Sequence, residues 1–161
     1  MSLTVHVNSL RWFVENQGGA EFLRSFGDPL DDDAVEAART VAYPDAARLV
    51  GTLRAASVGA ECWFTLDDEG ADALEARPGP DAVSLGELSL SVGGNDDRIP
   101  GHVAVTGLTC RAPQPEAIAR AAAALAEAFG PQVVWDDGLA DVMVVHPGAT
   151  VAEVRTRWER A

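Results

Sequence analysis

The chain has 161 residues, 25 of them acidic and 12 basic, for a formal net charge of −13 and a pI near 4.4. Every basic residue is arginine, and the absence of lysine excludes Schiff-base and PLP chemistry and the P-loop of Walker-type nucleotidases, each of which needs a lysine amine. Apolar content of 47% with 23% charged residues suits a compact soluble protein. This size predicts one domain, 1–161, that buries about 70% of its unfolded surface.

The first element is a strand: Leu3, Val5 and Val7 alternate with Thr4, His6 and Asn8, the period of two expected when one face is buried. Leu10, Phe13 and Val14, then Phe22, Leu23 and Phe26, follow at helical spacing, interrupted by Gly18-Gly19 and stopped by Gly27. Asp33 with Glu36 has capping-box spacing and opens a helix carrying Val35, Ala38 and Val41, which must end before Pro44. Asp45 caps the next helix, with Ala46, Leu49, Val50, Leu53 and Ala56 as its apolar stripe and Gly59 placed for a left-handed C-terminal stop.

From residue 60 the rhythm becomes β-like. Cys62 to Leu66 reads as a strand, Ala71 to Arg77 as a short helix and Pro78-Gly79-Pro80 as a loop. The runs Leu88 to Val92 and Val103 to Leu108 read as a hairpin across the long loop 93–101. Pro115 starts the best-defined helix, with Ile118, Ala122, Leu125 and Phe129 on one face and Gly130-Pro131 closing it. Val133 to Trp135, an Asp137-Gly138 turn and Val142 to Val145 form a second hairpin. Thr150 and Glu153 box the last helix, whose Val151, Val154 and Trp158 face inward and whose Arg155, Arg157 and Arg160 crowd the C-terminal end of the dipole.

Residues 60–136 therefore spell β-α-β-β-α-β, the split βαβ of ferredoxin-like folds. The expected class is α+β, with an antiparallel sheet and an α-rich N-terminal third. Residues 1–59 would either cover the sheet face that carries Trp63 or extend its edge. In that topology the first and third strands are neighbours, which could bring Cys62 near Cys110. Both read as buried free thiols, since the chain has only these two cysteines, without CxxC spacing.

The same topology gathers Asp67, Asp68, Asn95, Asp96, Asp97 and His102 on one edge and sends Asp136-Asp137 to the other. Clustered carboxylates suit Mg²⁺ or Ca²⁺, and an imidazole beside them suits general-base work. Aspartates in turns also bond their own backbone and stay solvated. No EF-hand, HExxH, GxSxG or GxGxxG pattern is present, so neither a metal nor a cofactor is expected. Trp63 has opposite parity to Cys62, Phe64 and Leu66; left uncovered, it would mark a binding patch.

No arginine cluster exists to release counterions from a phosphate backbone, so nucleic acid and anionic membrane are not expected partners, whereas a basic protein is favoured by charge. The first residues lack the n-region and h-region of a signal peptide, and a cytoplasmic location is expected. The favoured reading is a non-catalytic protein-interaction module of the antidote, inhibitor or regulator type, using Asp67, Asp68, Asn95, Asp96, Asp97, His102 and Trp63. The alternatives are a small metal-dependent or acid/base enzyme on the same rim and a ferredoxin-like regulator that binds a small ligand.

Overall fold

A computed structural model of the chain describes residues 3–16, 19–27, 29–67, 74, 79–93 and 97–160. Among them are six helices and eight strands, a mixed α+β architecture. The strands are β1 (Thr4–Ser9), β2 (Val58–Cys62), β3 (Thr65–Leu66), β4 (Val83–Ser91), β5 (Arg98–Ile99), β6 (Gly107–Arg111), β7 (Gln132–Asp136) and β8 (Val142–Val145). The helices are α1 (Leu10–Asn16), α2 (Gly19–Arg24), α3 (Asp32–Thr40), α4 (Ala46–Ala55), α5 (Pro115–Phe129) and α6 (Val151–Arg160).

Six strands form one sheet in the order β2-β4-β6-β1-β7-β8, and β3 pairs with β5 in a separate two-stranded ladder. All neighbours in the large sheet are antiparallel except β2 and β4. This corrects the ferredoxin-like expectation. There β2 would lie beside β6, whereas here it pairs with β4 in parallel and β1 is inserted between β6 and β7. The parallel pairing is possible because more than a dozen residues separate β2 from β4, enough for a crossover. The short helix expected at 71–77 lies outside the described residues except for Leu74, which is buried in the core.

Strand alternation divides the interior into two layers. On one face α4, α5 and α6 bury Val5, Val7, Val58, Ala60, Leu85, Leu88, Leu108, Cys110, Val134, Met143 and Val145. On the other, α1 to α3 pack Leu10, Phe13, Val14, Leu23, Val35 and Ala38 against Val133, Val142 and Val144. The second layer draws its strand residues from β7 and β8 only. The outward sides of β2, β4 and β6 carry Glu61, Glu87, Ser89, Thr109 and Arg111, none of them fully buried. An antiparallel sheet can leave one face to water in this way.

Several local readings hold. Asp45 caps α4, accepting the Arg48 N–H at 2.7 Å. Thr150 and Glu153 form their capping box in both directions at 3.1 Å. α5 starts at Pro115 and ends at Gly130, whose φ of 92° needs a residue without a Cβ. β7 and β8 form the expected hairpin, Trp135 opposite Val142.

Others shift. The cap of α3 is Asp31, which accepts the Ala34 N–H at 2.7 Å; three consecutive aspartates offered that role, and buried Leu30 holds the chain so that the first one takes it. Val41 ends α3 as its C-cap. The left-handed residue after α4 is Ser57, at φ 59°, and Gly59 already lies in β2. The strand expected at 62–66 is two pieces, β2 ending at Cys62 and β3 beginning at Thr65. In the hairpin of β4 and β6, Leu90 faces Leu108 and Leu88 faces Cys110, so residues 103–106 precede the strand rather than belong to it. Cys62 and Cys110 share one row across the sheet but have Leu88 between them, and both are free thiols.

Candidate functional site

The acidic residues predicted on one edge meet only in part. Asp68, Asn95 and Asp96 lie outside the described residues. Asp67 and Asp97 flank the β3–β5 ladder from opposite ends: the Asp67 N–H donates to the Ile99 carbonyl at 2.8 Å, and the Asp97 carbonyl accepts the Thr65 N–H at 2.8 Å. The Asp67 carboxylate lies 3.7 Å from the Arg98 guanidinium, with both side chains more than half exposed. Such a pair contributes little to stability. His102 is exposed in the turn after β5, within a loop whose Gly101 and Val103 carbonyls accept the Ala47 and Ala46 N–H groups at the start of α4. Among the described residues, no three His, Cys, Asp or Glu side chains converge on a point where a metal ion could sit.

Trp63 is 64% exposed, the most exposed large apolar side chain among the described residues. Its N–H donates to the Leu88 carbonyl at 2.9 Å, which continues the parallel course of β2 along β4 for one more residue. Ala60, Cys62 and Phe64 face the α4–α6 layer, so Glu61 and Trp63 belong to the opposite, open face. The N-terminal helices pack over the β7 and β8 end of that face and leave Trp63 uncovered. Glu61 stands opposite Glu87, and Glu87 opposite Arg111, in one row across β2, β4 and β6. The Arg111 guanidinium is 3.8 Å from the Glu87 carboxylate.

Between the open and covered halves runs a polar seam that spacing along the chain did not announce. His6 on β1 is bonded through Nδ1 to the Thr109 hydroxyl at 3.0 Å and through Nε2 to Asp137 Oδ1 at 2.5 Å. Its ring stacks on Trp135, with centroids 4.2 Å apart. The Trp135 indole N–H donates to Asn8 Oδ1 at 2.9 Å, and Asn8 Nδ2 donates to the Thr106 carbonyl at 3.3 Å. These partners are 98 to 131 positions apart, so only the insertion of β1 between β6 and β7 brings them together. The only sequence signal was that every second residue of β1 is polar.

Carboxylate, imidazole and hydroxyl in that order form the relay used in nucleophilic catalysis. Here, however, Thr109 sits mid-sheet on a strand paired on both sides, opposite His6 and Ser89. An oxyanion hole would need a pair of free N–H groups beside that hydroxyl, and the backbone around Thr109 is paired into ladders with β1 and β4. The thiols are equally poor nucleophiles. Burial raises the pKa of Cys62, partly offset by a backbone hydrogen bond at Leu74, and burial raises Cys110 much further.

Comparison with models of protein families, with curated proteins and with solved structures finds no match for this chain. No helix among the described residues is long and apolar enough to cross a membrane.

Proposed function

We propose that the protein is a non-catalytic interaction module that docks a basic protein partner on the open half of its sheet, in the manner of an antidote, inhibitor or regulator. The observation that carries this reading is Trp63: a large aromatic side chain, 64% exposed, on a sheet face that no described helix covers, two residues along the chain from Glu61, whose register partner is Glu87. Burying an indole is worth several times a typical surface contact, and tryptophan is enriched among the residues that dominate interface energies. The net charge of −13 would raise the rate at which a cationic partner arrives. The acidic residues at 67–68 and 96–97 would then act at longer range, as part of this field.

The test is affinity capture from a lysate of the source organism, followed by reconstitution with the purified partner. A basic protein retained at about 50 mM salt, weakened by about tenfold at 500 mM and lost with Trp63→Ser, is the expected result. A partner whose binding ignores both salt and Trp63 would refute it.

A further inference from the structure

We infer that the partner presents arginine to this face, one guanidinium lying on the Trp63 indole and donating to Glu61 and Glu87. The inference rests on the interaction reading above and specifies what that surface recognises. Glu61 and Glu87 stand directly opposite each other in register, an arrangement of like charges that destabilises a sheet unless a cation sits between them. Among the described residues only Arg111 supplies one, its guanidinium reaching Glu87 at 3.8 Å while 64% exposed, and Glu61 has no ion pair there. The row already accepts one guanidinium and has carboxylate left for another.

Trp63 follows Glu61 by two residues on the same face, and its backbone N–H donates to the Leu88 carbonyl next to Glu87, so indole and carboxylates belong to one stretch of that surface. An exposed indole next to paired carboxylates favours a planar cation over a compact one, because guanidinium stacks on the ring while its fork of N–H groups engages the oxygens. Ser89 and Thr109 continue the surface beyond Trp63 with small side chains, leaving room for a segment to lie flat across β4 and β6. A second copy of this chain is a poorer occupant, because it brings its own −13 to the contact.

The experiment needs no natural partner. An acetylated peptide alternating serine and arginine, and its lysine counterpart, are titrated into the protein at low salt while the four indole N–H signals (Trp12, Trp63, Trp135, Trp158) are followed by NMR. The Trp63 signal should move, with the arginine peptide bound at least about threefold more tightly than the lysine peptide. Glu61→Gln should weaken binding about threefold, and Trp63→Leu should abolish the preference for arginine. Arg111→Ala, which frees Glu87, should tighten binding about twofold. Equal binding of the two peptides, an unmoved Trp63 signal, or a Trp63-dependent dimer in sedimentation would overturn the inference. Arginine-selective binding without any captured partner would leave the guanidinium site standing and remove the interaction module. A captured partner indifferent to Glu61 and Trp63 would do the reverse.

Discussion

Replacing Gly107 with alanine tests the polar seam from its tightest point. A Cβ built there would lie 2.2 Å from Asn8 Nδ2 and 2.7 Å from the Val7 carbonyl oxygen. Both distances are too short for any real contact, and neither neighbour is free to yield. Asn8 is 5% exposed and held by the bond from the Trp135 indole and the bond to the Thr106 carbonyl, while Val7 pairs with Leu108 on one side and Val134 on the other. Swinging Asn8 away sacrifices two hydrogen bonds at about 1 kcal/mol each, and easing the Val7 carbonyl back costs about 1 kcal/mol more in backbone distortion. The expected loss is about 3 kcal/mol, which lowers the melting temperature of a chain this size by about 6–12 °C. Asn8→Ala alone forfeits the two bonds, about 2 kcal/mol. In the double variant the side-chain clash has gone and only the carbonyl remains, so the combined loss stays near 3 kcal/mol instead of the additive 5, a coupling of about 2 kcal/mol. Thermal and urea unfolding followed by circular dichroism, with the summed emission of the four tryptophans as a second probe, measures all three. A Gly107→Ala melting point within about 2 °C of wild type, or strict additivity in the double variant, would refute this geometry.

Ser57 holds a left-handed φ of 59° after α4, so Ser57→Gly should stabilise by about 0.5–1 kcal/mol, visible as a rise of about 1–4 °C in melting temperature. Burial, and then the neighbouring Asp136 charge, raise the Asp141 carboxyl above its ordinary 3.8; a carboxylate with a raised folded pKa costs stability above that pKa and nothing below the unfolded value. Asp141→Asn should therefore be more stable than wild type at pH 7, with the advantage disappearing below pH 3.8; an unchanged difference across a pH series of urea midpoints would contradict it. Both thiols should react slowly with Ellman's reagent in the folded protein, Cys62 before Cys110, and both promptly in denaturant.

What could be read along the chain was what neighbours along the chain decide. The caps at Asp45 and Thr150, the α5 stripe from Ile118 to Phe129 and the β7–β8 hairpin are each settled within about fifteen residues, and there pattern and turn chemistry are sufficient. The order of strands is settled by pairing between distant segments, and alternation in β1 is compatible with an edge strand as well as a central one. His6 and Asn8 lie on the polar side of that alternation; in the sheet they carry the seam, and their polarity is satisfied by Thr109, Asp137, Trp135 and Thr106. The candidate site divided along the same line. The opposite parity of Trp63 was visible in a five-residue run, whereas the Glu61–Glu87–Arg111 row depends on β4 lying between β2 and β6, which no local pattern records.

The position of β1 also sets a timetable. This strand is made before both of its pairing partners, which lie about a hundred residues or more further on, Leu108 opposite Val7 on one side and Val134 opposite it on the other. At about 5–20 residues per second, its two edges wait on the order of 5–25 s before the second neighbour exists. Until then Val5 and Val7, fully covered in the finished molecule, belong to an unpaired apolar strand, the kind of segment chaperones bind and aggregates recruit. Folding in the test tube should be slow for a chain of this length, as expected when the central pairings are the most distant ones.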